Sequence, residues 1–140
     1  MIQKEVAQRM AAKPGGKDYG SLGVAVQYYC EPQIVCNVPH TVFIPQPNVD
    51  SSVIKLSLRK TPAVEVANED HFFQVVQASF AQRRKTLINN LTALAGKEKR
   101  ETLTQLLQHN DIDPIRRGET LSLEEFARIS RSMLEAGLNG

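Results

Sequence analysis

The sequence predicts an α+β chain in two parts, a strand-and-helix part over residues 1–61 and an all-helical part over residues 62–140. Three observations lead there. Proline, glycine and β-branched residues are frequent up to Thr61-Pro62, whereas long helical patterns follow Asn68. Ser52 to Arg59 has the period of a strand, with Val53, Lys55, Ser57 and Arg59 alternating against Ile54, Leu56 and Leu58. Ser122-x-x-Glu125 is a capping box ahead of an apolar stripe, the opening of a helix.

Lys4 to Ala12 reads as a short helix ended by Lys13-Pro14-Gly15-Gly16. Leu22, Ala25, Val26 and Tyr29 fall at i, i+3, i+4 and i+7, which predicts an amphipathic helix from Tyr19 to Cys30 with Tyr29 in the core and Pro32 stopping it. Gln33 to Val38 reads as a strand. A proline-rich loop joins it to the strand at Ser52, so the two are expected as sheet neighbours. Such a piece has an open sheet edge, and self-association through that edge is expected.

In the second part Asn68 is placed as the N-cap of a helix from Glu69, and further helices are expected over Thr86–Ala95, Lys97–His109 and Ser122–Ala136. Gly96, Pro114 and Gly118 punctuate them. A single helix from Glu69 to Ala95 would align Phe72, Val76, Phe80, Leu87, Leu91 and Leu94 on one stripe, with Arg83 inside it. A buried, unpaired guanidinium costs several kcal/mol. A break between about Gln82 and Thr86 is therefore predicted, with Arg83, Arg84 and Lys85 turned to one side of the junction.

With 41% hydrophobic and 23% charged residues in 140, the composition is that of a globular chain. Its apolar runs, such as Val24 to Val26, are too short to span a bilayer, and Lys4-Glu5 suits no secretory signal, so a cytoplasmic protein without membrane contact is expected. Cys30 and Cys36 lack the partners of a zinc set, and free thiols with no metal are expected. His40, His71 and His109 lie far apart with no Ser or Cys motif, and are expected as surface or capping residues.

The net charge of +2 is unevenly spread. Residues 83–100 hold Arg83, Arg84, Lys85, Lys97, Lys99 and Arg100 against Glu98 alone, an excess of +5, whereas residues 101–140 carry −3. A basic belt of this kind suits a phosphate backbone. Lys97, Lys99 and Arg100 are its weaker members, because Glu98 and Glu101 interleave them. Arg116 and Arg117 could touch RNA or pair with Asp111, Asp113 and Glu119, and the nearby acids favour pairing; Lys55 and Arg59 face either RNA or solvent.

Phe43-Ile44-Pro45-Gln46-Pro47-Asn48-Val49-Asp50-Ser51-Ser52-Val53-Ile54 is the most distinctive stretch. Pro45 and Pro47 fix their own φ angles and bias the residues before them toward extended geometry, so a ring on this loop is pre-positioned. Pattern alone favours a core or hinge role for Phe43.

The stretch resembles the ribosomal RNA adenine dimethyltransferase family, in particular its bacterial small-subunit branch. Gln3 to Met10, Tyr19-Gly20-Ser21-Leu22, Gln27-Tyr28-Tyr29 and Phe80-Ala81-Gln82-Arg83-Arg84-Lys85-Thr86-Leu87 resemble it too, in the family's order. The resemblance implies the last strands and helices of a Rossmann-like methyltransferase sheet followed by a small all-helical C-terminal domain. It implies an S-adenosylmethionine-dependent enzyme that dimethylates two adjacent adenines near the 3′ end of small-subunit rRNA. It also reverses the reading of Phe43, which in that family stacks on the target adenine.

The family's Gly-rich loop and its Asn-Leu/Ile-Pro-Tyr/Phe motif have no counterpart here, and Gly15-Gly16 follows no predicted strand. The chain is thus expected to be a C-terminal part that binds no cofactor and is inactive alone, with Phe43 as one wall of the base pocket. Arg83, Arg84 and Lys85, with weaker Lys97, Lys99 and Arg100, would dock small-subunit rRNA or the 30S precursor; the other reading of the first three is a solvated charge run or an internal ion pair to Glu69 or Asp70, with Arg83 structural. Two other readings stay open: a non-catalytic RNA-binding or ribosome-assembly module, and a macrolide-resistance type methylase of large-subunit rRNA. Gln82-Arg83-Arg84-Lys85 favours the small-subunit reading over the latter.

Overall fold

The computed structural model describes residues 1–138, so the last two residues of the expected helical part lie outside the described residues. Two compact units are present, Met1–Ala63 and a second that opens at Val64. The first contains β1 (Ile2–Gln3), α1 (Lys4–Met10), α2 (Ser21–Tyr29), β2 (Cys30–Val38) and β3 (Ser51–Leu58). The second contains α3 (Glu69–Phe80), α4 (Leu87–Ala95), α5 (Arg100–His109) and α6 (Leu123–Glu135). Among the described residues the fold is therefore α+β, with a small sheet and six α-helices.

The sheet has the order β1-β3-β2, and β3 runs antiparallel to both neighbours. The expected strand pair is present, with Ile34 opposite Ile54 and a register shift between Ile34 and Cys36. β2 starts earlier than predicted and includes Pro32 opposite Leu56, so Pro32 does not act as a helix stop. An edge strand tolerates proline because only one of its sides must supply ladder donors. Helix α2 ends at Tyr29 instead because the Arg59 N–H donates to the Tyr29 carbonyl (2.9 Å), drawing the chain into the ladder. β1 is too short for an alternation signal; it pairs Ile2 with Ser52 and Gln3 with Ser51.

The buried face of α2 is not the predicted one. Val24 and Tyr28 are buried, while Leu22 and Tyr29 are 42% and 44% exposed. The face is set where α1 and α2 cross: a Cβ on Gly23 would lie 2.6 Å from the Arg9 carbonyl oxygen, so only glycine permits the approach. Gln27 Nε2 closes the contact by donating to the carbonyls of Met10 (3.2 Å) and Ala12 (2.7 Å) at the end of α1.

The second unit buries Phe72, Val75, Val76, Leu87, Leu91, Leu103, Leu107, Phe126, Ile129 and Met133 around its four helices. Asn68 Oδ1 accepts the His71 N–H (3.1 Å), the predicted N-cap. The predicted capping box is present as well, with the Glu125 N–H on Ser122 Oγ (3.2 Å) and the Ser122 N–H on Glu125 Oε1 (3.0 Å). Lys97–His109 is not one helix: a 3₁₀ turn over Lys97–Lys99 precedes α5. His71 is neither surface nor cap. It adjoins Phe72 on the inward face of α3, and its Nδ1 lies 2.7 Å from Ser130 Oγ of α6. Burial lowers its pKa, and the Leu138 backbone partly offsets this.

Gly23→Ala should lower stability by about 1–3 kcal/mol in urea unfolding, because its methyl meets backbone rather than a movable side chain. A histidine with a lowered folded pKa contributes its full stability above the unfolded value near 6.5 and loses it as pH falls from there. Thermal unfolding should therefore show a lower Tm at about pH 5.5 than at about pH 7.5, and His71→Asn should flatten that dependence.

Candidate nucleic-acid interface

The loop that carries Phe43 leaves β2 through a 3₁₀ turn, His40–Val42, and the Phe43 N–H donates to the His40 carbonyl (3.3 Å). Asp50 ties its two ends together. Asp50 Oδ1 accepts the His40 N–H (2.9 Å) and lies 2.8 Å from His40 Nδ1, while the Asp50 carbonyl accepts the Lys4 N–H at the start of α1 (2.9 Å). The hydrogen bond from the His40 side chain is the largest of the effects that hold the Asp50 carboxyl below its ordinary value. Phe43 itself is half-buried, beside an apolar rim in which Val42 is 61% and Ile44 100% exposed. The Ile44–Pro45 peptide is cis.

The predicted break between the helices of the second unit is present. α3 ends at Phe80, α4 begins at Leu87, and Arg83, Arg84 and Lys85 stand exposed on the turn between them. Within that turn the Lys85 N–H donates to the Gln82 carbonyl (3.0 Å). Buried Asn90 reaches back from α4, its Nδ2 donating to the carbonyls of Ser79 and Gln82, both at 3.1 Å.

The first N–H groups of α4 are taken as well, Leu87 by the Arg116 carbonyl (2.6 Å) and Ile88 by the Pro114 carbonyl (3.1 Å). This helix start thus has fewer free donors for a phosphate. Arg100 Nη1 donates to Asn89 Oδ1 (2.7 Å), which draws Arg100 toward the first turn of α4. Lys97 and Lys99 are exposed on the 3₁₀ turn that follows the other end of that helix.

Arg116 and Arg117 do not pair as predicted. Arg116 forms a two-pronged ion pair with Glu125, Nη1 to Oε2 at 2.6 Å and Nη2 to Oε1 at 3.2 Å, and also donates to the Thr120 carbonyl. Glu125 wins over nearer acids because the capping box already holds its carboxylate in place. Burial raises the Glu125 pKa, but hydrogen bonds from Arg116 and Ser122 outweigh it and the net shift is downward. Arg117 is exposed, and no ion pair holds it among the described residues.

The Arg117 backbone is flanked by Arg116, bonded to Leu87, and by Gly118, whose Cβ position lies 2.5 Å from the Ser79 carbonyl oxygen. The Arg117 backbone therefore passes the α3–α4 junction that carries Arg83, Arg84 and Lys85. Arg59, by contrast, is engaged within its own unit, donating from Nε to the Gln27 carbonyl (2.9 Å) and from Nη1 to Glu31 (3.2 Å). Lys55 is exposed.

A profile of the family described as Ribosomal RNA adenine dimethylase matches residues 1–128. The chain belongs to that family. It is 61% identical over 135 residues to Ribosomal RNA small subunit methyltransferase A of Geobacillus sp. (strain WCH70), covering 95% of this chain and 46% of that protein. It is 61% identical over 137 residues to the protein of the same name from Bacillus licheniformis, covering 96% and 47%. The chain thus spans about half the length of these curated relatives.

Among solved structures, a dimethyladenosine transferase from Plasmodium falciparum matches with a TM-score of 0.77 at 25% identity, over 97% of this chain and 56% of that one. The 23S rRNA methyltransferase ErmE matches in fold, with a TM-score of 0.60 at 22% identity, over 93% of this chain and 51% of that one.

The chain's one glycine pair, Gly15-Gly16, lies in the turn after helix α1, with no strand leading into it to present backbone N–H groups to a cofactor. Among the described residues no group of three or more His, Cys, Asp and Glu could hold a metal ion, and no helix is long and apolar enough to cross a membrane.

Asp50→Ala should release the ends of the Phe43 loop. Amide hydrogen exchange at His40, Val42 and Phe43 is expected to quicken about tenfold, with the β2–β3 ladder unchanged.

Proposed function

We propose that this chain is the substrate-side part of an S-adenosylmethionine-dependent rRNA adenine dimethyltransferase that modifies two adjacent adenines near the 3′ end of small-subunit rRNA. The observation that carries this is the exposed turn Arg83-Arg84-Lys85, with Arg117 beside it, in a member of the Ribosomal RNA adenine dimethylase family. Exposed, closely spaced cations suit a folded RNA backbone, which a protein grips through its phosphates.

In this reading residues 1–61 are the last strands and helices of a Rossmann-like methyltransferase domain, and residues 62–140 are a helical rRNA-binding domain. The antiparallel placement of β3 between its neighbours supports the first assignment. Phe43 is one wall of the target-base pocket. A base methylated on its edge must leave its stack and lie against an apolar or aromatic surface, and a half-buried ring on an end-tied loop with an apolar rim offers one. Arg83, Arg84, Lys85 and Arg117 dock the 30S precursor, with Arg100, Lys97 and Lys99 as outlying contacts.

The methyl donor is bound elsewhere in the complete enzyme, so this chain alone binds RNA without transferring a methyl group. Leu56 and Leu58, 43% and 82% exposed on β3, favour self-association of the isolated chain.

In the complete enzyme, Phe43→Ala should cut methylation at least about tenfold while leaving 30S affinity unchanged; equal turnover would remove the stacking role. The affinity of this chain for 30S subunits should fall with rising KCl, and Arg83→Ala/Arg84→Ala/Lys85→Ala should flatten that slope by about 2–3 phosphate contacts. A slope untouched by the triple substitution would end the docking assignment. Calorimetry of the chain with S-adenosylmethionine should give no heat of binding.

A further inference from the structure

We propose that Asn90 is the positioning residue of the docking turn, holding the backbone on which Arg83, Arg84 and Lys85 stand; the inference rests on the docking role proposed above. Asn90 sits in the first turn of α4 and is 4% exposed, between buried Ile88 and Leu91. Asparagine is a weak helix former, and its carboxamide is costly to bury without partners. Nδ2 donates to two carbonyls at 3.1 Å each, Ser79 in the last turn of α3 and Gln82 in the turn beyond it. Two carbonyl acceptors require the amide nitrogen on that side, which fixes the orientation of the group.

The choice of acceptors explains the break itself. In an uninterrupted helix the Ser79 carbonyl would take the N–H of Arg83, four residues on, and the Gln82 carbonyl the N–H of Thr86. Asn90 supplies substitute donors to both. The chain can then leave the helix at the point where continuation would turn Arg83 into the apolar stripe, with the buried Ser79 carbonyl satisfied by Asn90 and the Gln82 carbonyl shared between Asn90 and the Lys85 N–H. Gly118 stands against the Ser79 carbonyl as well, its Cβ position only 2.5 Å away, so this carbonyl is constrained by two separate segments. Alanine at position 90 offers no donor, and aspartate would aim carboxylate oxygens at carbonyl oxygens.

The test is a double-mutant cycle on the full 140-residue chain, read as affinity for purified 30S subunits across a KCl series at a temperature where all variants are folded. Asn90→Ala should weaken binding about tenfold and lower the salt slope in the parent chain, yet add nothing in the Arg83→Ala/Arg84→Ala/Lys85→Ala background. Equal losses in both backgrounds, or no loss in the parent, overturn the positioning role while leaving the docking role intact. A triple variant that binds like the parent overturns both.

Should Asn90→Ala not fold, Asn90→Ser enters the same cycle. The unsubstituted chain must in any case show Asn90 carboxamide protons exchanging as slowly as core amides; rapid exchange overturns the inference.

Discussion

A guanidinium cannot be left unpaired in an apolar core, and the second unit depends on that constraint. The stripe running from Phe72 through Leu91 would include Arg83 if the helix were continuous. The chain instead stops α3 at Phe80 and restarts at Leu87. A break between two helices strands carbonyls on one side and N–H groups on the other. Asn90 meets the carbonyls of Ser79 and Gln82, and the carbonyls of Pro114 and Arg116 meet the N–H groups of Ile88 and Leu87. The segment around Pro114 to Gly118 is therefore held at the junction by backbone chemistry, and Arg117 comes with it.

The first unit solves a comparable problem with side chains. Its proline-rich loop has few backbone donors to tie itself down, so one carboxylate, Asp50, holds the His40 N–H and lies within bonding distance of His40 Nδ1 across the loop mouth. The backbone carbonyl of the same residue anchors the start of α1. Phe43 is thus carried by a loop whose two ends are tied.

Much of the second unit was legible in the sequence because its signals are local. The Asn68 cap, the Ser122–Glu125 capping box and the helix break follow from residues within a few positions of one another. Three of the failures share one cause. Tyr29, read as core, is exposed because Gly23 lets α1 approach on another face; His71, read as surface, is buried against α6; and Arg116 pairs with Glu125 rather than a nearer acid. In each case a contact between separate elements chose among faces or partners that periodicity leaves nearly equivalent. At the candidate interface, the cluster Arg83-Arg84-Lys85 could be read from adjacency, whereas the approach of the Arg117 backbone to it could not, because it comes from hydrogen bonds between segments about thirty residues apart.

By itself the amino-acid sequence determined the α+β class, the strand pair around the proline loop, the position of the helix break and the family, since all of these rest on local pattern or ordered motifs. The tertiary structure decided which face of α2 is buried, which acid Arg116 meets, and which cations share the α3–α4 junction. Those outcomes depend on close approach and on backbone groups seeking partners, and such groups look alike in sequence until the chain has folded.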